Sequence, residues 1–306
     1  MNLNMNRRKF LTALSLGTAH VLFSNPLYAS ASPFLSTDPL QKVKLGNSGI
    51  ETTMIGFGTG VFGTNRSSEL TRQDHTKSID ALLHGYDRGI RMLDAADAYG
   101  THGLVGEAMK KMNRDEVTLI SKIWVKDRGG IPESERPDAD VVIDRFRKEL
   151  DTDYIDLVQV HLMTEANWNE RYRKQLDILE NLKAKGIIKA HGVSVHSLEA
   201  MNTALNEPWV DVMHTRINPY GLSMDKPEPK EVVELIQKVH KSGKGVIGMK
   251  LIGAGRISTE SEKIDNSLKF VLGLGCIDMM VVGFKNGDEL DNYLGRVENA
   301  LKTLNG

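Results

Sequence analysis

Residues 155–194 read IDLVQVHLMTEANWNERYRKQLDILENLKAKGIIKAHGVS. Ile155–Val160 is a short apolar, β-branched run of strand length, and Ala190–Ser194 is another. Between them, Glu170–Lys185 places Leu176, Leu179 and Leu182 at helical spacing among charged residues. Gly186 follows where a helix needs a residue free to adopt a left-handed cap. Strand, amphipathic helix and strand in this order make one βαβ unit, in which the two strands lie parallel and the helix covers them.

The same alternation extends in both directions. Strands are predicted at Thr53–Gly56, Met92–Asp94, Val117–Lys122, Ile155–Val160, Ala190–Ser194, Val212–Arg216, Gly245–Met249 and Met279–Val282. Helices are predicted at Ser67–Arg88, Val105–Met112, Asp138–Leu150, Glu170–Lys185, Leu198–Leu205, Lys230–Ser242, Glu262–Leu274 and Asp288–Lys302, with Gly89, Gly186, Gly243 and Gly275 at helix ends. Eight such units in a chain of this size predict an α/β protein with a closed (β/α)8 TIM barrel, a fold of typically ~250 residues. The rival is a doubly wound open sheet, whose dinucleotide-binding form needs a G-x-G-x-x-G turn between an early strand and a helix. Gly56-Phe57-Gly58-Thr59-Gly60-Val61-Phe62-Gly63 is superficially similar, but Thr64-Asn65-Arg66 follows it, so it is read as a loop at the barrel mouth. Upstream, Lys42–Ile55 holds two strand-like runs around Gly46-Asn47-Ser48-Gly49, which predicts an N-terminal β-hairpin.

The 306 residues are 40% hydrophobic and 26% charged, which fits a chain with a large core. A formal charge of −1 leaves no global field to hold a polyanion, so a nucleic-acid partner is not expected. The single cysteine, Cys276, excludes an internal disulfide, is read as a core residue, and leaves no basis for a cysteine metal site. Asn6-Arg7-Arg8-Lys9-Phe10-Leu11, an apolar run to Phe23 and Ala29-Ser30-Ala31 resemble a twin-arginine signal peptide. That run is interrupted by polar residues and is shorter than the roughly 20 residues that span a bilayer, so stable membrane insertion is not expected. The expected organisation is a signal peptide at 1–31, a linker at 32–41 and the barrel at 42–306. The twin-arginine export machinery would be a transient partner, and the mature protein would be periplasmic or otherwise exported after cleavage near Ala31.

Reactive groups of such a barrel sit at the C-terminal ends of its strands. Those ends carry Asp94, with Tyr99 five residues on, then Lys122, then His161. A phenol has a pKa of about 10, and a nearby ammonium would lower it. Lys122 could supply that charge, Asp94 could hold Lys122, and His161 could direct a substrate carbonyl toward the Tyr99 hydroxyl. Taken singly, each has a structural explanation: a rim aromatic, a snorkelling lysine, a helix cap, a loop histidine. Their coincidence at the ends of separate strands favours chemistry. A cofactor-independent barrel using Asp94, Asp97 or Glu107 as paired carboxylates is the competing enzyme reading, and a cofactor-binding regulatory barrel without turnover is the non-enzymatic one. Phe62, His102, Trp124, Trp168 and Tyr220 fall near the mouth, where they could form an aromatic, hydrogen-bonding surface for a sugar-like carbonyl compound or equally serve loop packing, and Arg216 near a strand end could bind one carboxylate.

Leu93-Asp94-Ala95-Ala96-Asp97-Ala98-Tyr99-Gly100 resembles the signature of the aldo/keto reductase family. Ile120-Ser121-Lys122, Asp153 to His161 and Gly192-Val193-Ser194 resemble that family's lysine, histidine and nicotinamide-amide strands, and the similarity runs from about Val43 to Leu301. The resemblance implies Asp94, Tyr99, Lys122 and His161 as a catalytic tetrad reducing a small carbonyl compound. It also implies an extended dinucleotide, NADP(H) ahead of NAD(H), bound without a Rossmann fold. Gly58 and Thr59 fall in its first-strand loop, with Asp94 beside them, and Ser194 at its carboxamide contact. His214 stands where glutamine is common, and an imidazole cannot present an amide's paired donor and acceptor. Met249-Lys250-Leu251-Ile252-Gly253-Ala254-Gly255-Arg256 replaces the usual aromatic and Ser-Pro-Leu-Gly; here Met249 would cover the nicotinamide, while Lys250, Leu251, Gly253 and Arg256 would line the pyrophosphate. Gly283, Phe284, Lys285 and Glu289 fall in the adenosine-phosphate loop, where Lys285 suits a 2′-phosphate and Glu289 a free ribose hydroxyl.

Overall fold

The computed structural model describes residues 36–305 apart from Arg128; the signal-peptide segment lies outside the described residues. Strands β1 (Lys42–Lys44) and β2 (Glu51–Thr53) pair antiparallel in the expected hairpin, with Val43 opposite Thr52. Strands β3 (Ile55–Gly58), β4 (Met92–Asp94), β5 (Thr118–Ile123), β6 (Ile155–Met163), β7 (Ile188–Val195), β8 (Val212–Arg216), β9 (Gly245–Met249) and β10 (Met279–Val282) close into a parallel barrel in sequence order, β10 pairing back onto β3. This is the (β/α)8 architecture that the alternation predicts.

Helices α1 (Glu69–Arg72), α2 (His75–Asp87), α3 (His102–Met109), α4 (Ala139–Leu150), α5 (Trp168–Arg171), α6 (Arg173–Ala184), α7 (Leu198–Asn206), α8 (Pro229–Lys241), α9 (Ser261–Gly273) and α10 (Gly287–Asn305) surround it. Two predicted helices are split. Ser67–Arg88 breaks because Asp74 leaves helical geometry and its carboxylate accepts a hydrogen bond from the Lys77 amide at 3.0 Å, starting α2 afresh. Glu170–Lys185 starts earlier, at Trp168, and breaks at Tyr172, which leaves α5 and α6. Gly89, Gly186, Gly243 and Gly275 all have positive φ, as their places at helix ends require.

The barrel interior is layered. Its lower layer consists of Met92, Ile120, Leu157, Ala190, Val212, Ile247 and Met279, sealed from below by Leu45 and Ile50 of the hairpin. Gly245 allows that seal, because a Cβ there would sit 3.0 Å or closer to Leu45. Inward-facing positions recur every second residue along a strand. The next inward positions above Met92, Ile120, Ala190 and Val212 are therefore Asp94, Lys122, Gly192 and His214, while Leu157 is followed upward by Gln159 and His161. An apolar plug at the bottom and a polar layer at the C-terminal mouth follow from the same alternation.

Candidate active site

Lys122 is 1% exposed and Asp94 4%. The Lys122 ammonium donates to Asp94 Oδ1 and, at 3.0 Å, to the Ala95 carbonyl. Burial pulls the lysine below its usual pKa and pushes the carboxyl above its own, each opposed by the partner's charge. Tyr99 follows on a 3-10 turn, Asp97–Tyr99, that ends at Gly100 with φ of 69°. Its ring is half-buried at the mouth, with the Lys122 ammonium 5.0 Å from the ring centre.

The expected lowering of the Tyr99 pKa by Lys122 does not occur. Burial, then the Asp94 carboxylate, push this phenol well above its ordinary value. The lysine's charge is spent on Asp94, so Tyr99 meets a nearly neutral pair rather than an unshielded cation. The Tyr99 hydroxyl lies 3.5 Å from His161 Nε2, and the two rings meet edge-on at 5.4 Å. Burial, followed by the charges of Lys122, His196 and Lys250, holds His161 well below its ordinary pKa, so the imidazole is neutral. A register shift between Val160 and Met163, with Leu162 at φ of 62°, bends β6 immediately after His161. Trp124, from the end of β5, packs edge-on against His161 at 5.5 Å.

Around this centre lie buried polar atoms without partners among the described residues: His161 Nδ1, Gln159 Oε1 and both ring nitrogens of His214. His214 Nε2 is 3.5 Å from Asp94 Oδ1, and burial together with Lys122 keeps the ring neutral. Ser194 stands next to His214 in the β7–β8 ladder. Unsatisfied buried polar groups are costly, and a polar planar ligand entering the mouth would satisfy them. The carboxamide of a nicotinamide fits that description, so the residues present suit the dinucleotide the sequence points to.

The other expected cofactor contacts divide. Gly58 adjoins Asp94 in the β3–β4 ladder, but the Thr59 hydroxyl is committed to the Asp94 carbonyl at 2.9 Å and to the Thr101 hydroxyl at 2.7 Å. Met249 ends β9, and Lys250 follows at φ of 62°, half-buried, with no hydrogen bond or ion pair on its ammonium among the described residues. Gly253 also has positive φ and donates its amide to the Lys250 carbonyl at 2.9 Å; Arg256 is exposed. Leu251 and Phe284 are core side chains, Phe284 packing edge-on against Phe57 and Tyr293, which leaves only their backbone for a ligand. Gly283 is needed for close approach, since a Cβ there would overlap Val61. Lys285 and Glu289 lie exposed at the outer rim.

Several mouth assignments are corrected by packing. His102 is buried and bridges Ser121 at 2.8 Å and Glu149 at 2.7 Å. Burial would raise the Glu149 pKa, but hydrogen bonds from His102 and Arg145 outweigh it and hold the carboxylate at about 2. Trp168 is fully buried and donates its indole N–H to the Ala200 carbonyl. Arg216 is paired with Asp225, so its charge is taken, and the Tyr220 hydroxyl donates to the Lys263 carbonyl at 3.3 Å. Phe62, 62% exposed, does stand on the rim. The paired-carboxylate reading loses its groups: Asp97 is buried between Arg66 at 3.1 Å and Arg145 at 2.6 Å, and Glu107 is exposed beside His75. Arg66, Arg145, Glu149, Gln159 and His196 join the surroundings of the site; for Arg145 and Glu149 the sequence carries no signal, since charges spaced along a helix read as a solvated face.

Comparison with known proteins agrees with this geometry. A family model described as aldo/keto reductase matches residues 54–271, more than half of the chain. Aldo-keto reductase YhdN of Bacillus subtilis is 31% identical over 193 residues, 60% of this chain and 54% of the relative. The NADH-specific methylglyoxal reductase of Escherichia coli is 24% identical over 208 residues, 61% of each chain. In both cases the chain spans less than two thirds of the relative's own length. The solved holo form of aldo-keto reductase AKR11C1 from Bacillus halodurans superposes with a TM-score of 0.67 at 20% identity, over 87% of this chain and 96% of that one, a likeness of fold. With a closed barrel, a polar mouth in the expected order and a family match across both, the chain belongs to the aldo/keto reductase family.

Proposed function

We propose that this protein reduces a small aldehyde or ketone, including sugar-like carbonyl compounds, at the expense of NAD(P)H, with Tyr99 as the proton donor. The observation that carries the proposal is the convergence of Asp94, Tyr99, Lys122 and His161 from three separate strand ends. The bound dinucleotide would supply the hydride. Tyr99, protonated throughout the neutral range, delivers a proton to the carbonyl oxygen as charge develops there. Neutral His161 presents Nε2 beside the Tyr99 hydroxyl and orients the carbonyl without bringing a competing charge. In the resting site Asp94 balances Lys122, and the ammonium, 5.0 Å from the Tyr99 ring centre, would turn from Asp94 toward the phenol oxygen as that oxygen gains charge in the transition state. Ser194, Gln159 and His214 would hold the carboxamide, and the unengaged Lys250 ammonium would face the pyrophosphate.

The test measures carbonyl-dependent oxidation of NADH and NADPH by wild type and Tyr99→Phe, with methylglyoxal and glyceraldehyde as first probes because one relative is named a methylglyoxal reductase. Loss of roughly 10²–10⁴-fold in turnover, with nucleotide binding retained, is the expected result. Unchanged turnover in Tyr99→Phe would remove the tyrosine from the reaction, and failure to bind any nucleotide would remove the reductase reading altogether. The proposal includes export of the barrel at 42–306 by the leader around Arg7-Arg8; recovery of the protein solely in the cytoplasmic fraction of its native cells would overturn that part.

A further inference from the structure

We propose that Glu69 and Glu289 make this protein select NADH over NADPH, because they place carboxylates where a ribose 2′-phosphate would have to bind. The inference rests on the reductase reading and deepens it. A dinucleotide with its nicotinamide beside Tyr99 and His214 must leave the barrel over neighbouring strand ends. The unengaged Lys250 ammonium at the end of β9 marks that direction, and Gly253, Ala254 and Gly255 beyond it all have positive φ, a backbone open to close approach by phosphates. The next strand end is that of β10, and the loop after it runs Gly283-Phe284-Lys285-Asn286 into α10.

That loop is pinned. Gly283 lies against Val61 and the Gly58 carbonyl with no room for a side chain, and Phe284 is buried. Lys285 is therefore held at the rim, 53% exposed, and is the cation of this loop. Its ammonium is already engaged by Glu69 Oε1 at 2.9 Å, from the first turn of α1. Its backbone amide donates to Glu289 Oε2 at 2.9 Å, and the Glu289 amide donates to Asn286 Oδ1 at 2.9 Å. The Lys285 ammonium, the Lys285 amide and the Glu289 amide, three donors that could hold a phosphate dianion at the start of α10, are thus engaged by internal acceptors. One ammonium against two carboxylates leaves the spot with a net negative charge, which repels a phosphate. Ribose hydroxyls, by contrast, donate to carboxylates, which is how acidic residues recognise the unphosphorylated dinucleotide in other folds. The opposed signs separate the two cofactors even though they are identical at the reacting end.

The experiment titrates the full-length protein with NADH and with NADPH at one ionic strength, following quenching of tryptophan fluorescence, and repeats the titrations with AMP and 2′-phospho-AMP to isolate this end. The expected result is at least tenfold tighter binding of NADH than of NADPH, with the same order for the two fragments. In a Glu69→Gln/Glu289→Gln double variant, shown folded by circular dichroism, the ratio should move by at least tenfold toward NADPH. Equal or tighter NADPH binding by wild type, or a ratio unchanged in the double variant, overturns the inference while leaving the reductase reading intact. Binding of neither dinucleotide overturns both.

Discussion

Replacing Lys122 with methionine removes the cation that is hydrogen-bonded to Asp94 and compensates it most strongly inside the barrel. The variant keeps an apolar stem of similar length, so packing changes little, but a carboxylate that is 4% exposed loses its partner. Breaking a buried pair in this way costs about 3–5 kcal/mol. The cost should depend on pH with a definite sign. Asp94 already has a raised pKa because burial outweighs Lys122, and in the variant both lowering influences of the lysine vanish, so the pKa rises further. A carboxyl whose folded pKa exceeds its unfolded value of about 3.9 stabilises the native state below that unfolded value and loses the contribution as pH rises through the folded one. Lys122→Met should therefore be most destabilised at neutral and alkaline pH and approach wild type as the pH falls toward about 4. Urea denaturation at about pH 5 and about pH 8, followed by tryptophan fluorescence, measures it. An Asp94→Asn/Lys122→Met double variant, with no charge left, should recover most of the loss at the higher pH. Equal cost at both pH values, or a double variant whose losses simply add, would refute the claim that Lys122 is spent on Asp94.

Gly60→Ala puts a methyl group into the Tyr99 ring; turnover should fall by roughly 10²-fold through misplacement of the phenol, with a thermal midpoint within a few degrees of wild type, and full activity would show that the ring moves freely. For the pH dependence of carbonyl reduction, Tyr99 is raised and His161 lowered, so kcat/KM should be flat from about pH 6 to about pH 9, with no limb at the ordinary histidine value of about 6.5. A limb near 6.5 that disappears in His161→Gln would contradict the neutral imidazole. Asp97→Asn leaves Arg66 and Arg145 facing each other without their shared carboxylate. Both guanidiniums reach solvent in part, so a loss of about 1–3 kcal/mol is expected from chemical denaturation, below the fully buried case, together with reduced turnover because the 97–99 turn carries Tyr99.

Much of this was legible in the chain before folding. Strands β4, β8, β9 and β10 have the bounds their apolar runs predict, and α4 differs by one residue at its start. The predicted helix over 67–88 splits at Asp74 because its carboxylate caps a new helix, and periodicity alone cannot see a capping hydrogen bond. The order Asp94, Tyr99, Lys122, His161 was visible, and so were Lys285 and Glu289. What each group does with its charge was not visible. Lys122 looked available to Tyr99, Arg216 to a substrate and Lys285 to a phosphate, yet Asp94, Asp225 and Glu69 hold them.

The division has a physical cause. Alternation along a strand is local, so a sequence by itself determined that Met92 and Asp94, Ile120 and Lys122, and Val212 and His214 share one face, apolar below and polar above. Closing the barrel brings together residues from strands far apart in the chain, such as Asp94 and His214. Electrostatic partners, burial and pKa depend on distances of a few ångströms between such residues, and those distances exist only once the last strand pairs with the first. Sequence determined the fold and the cast of the site; the tertiary structure decided that Tyr99 stays protonated, that His161 and His214 are neutral, and that Lys285 faces two carboxylates.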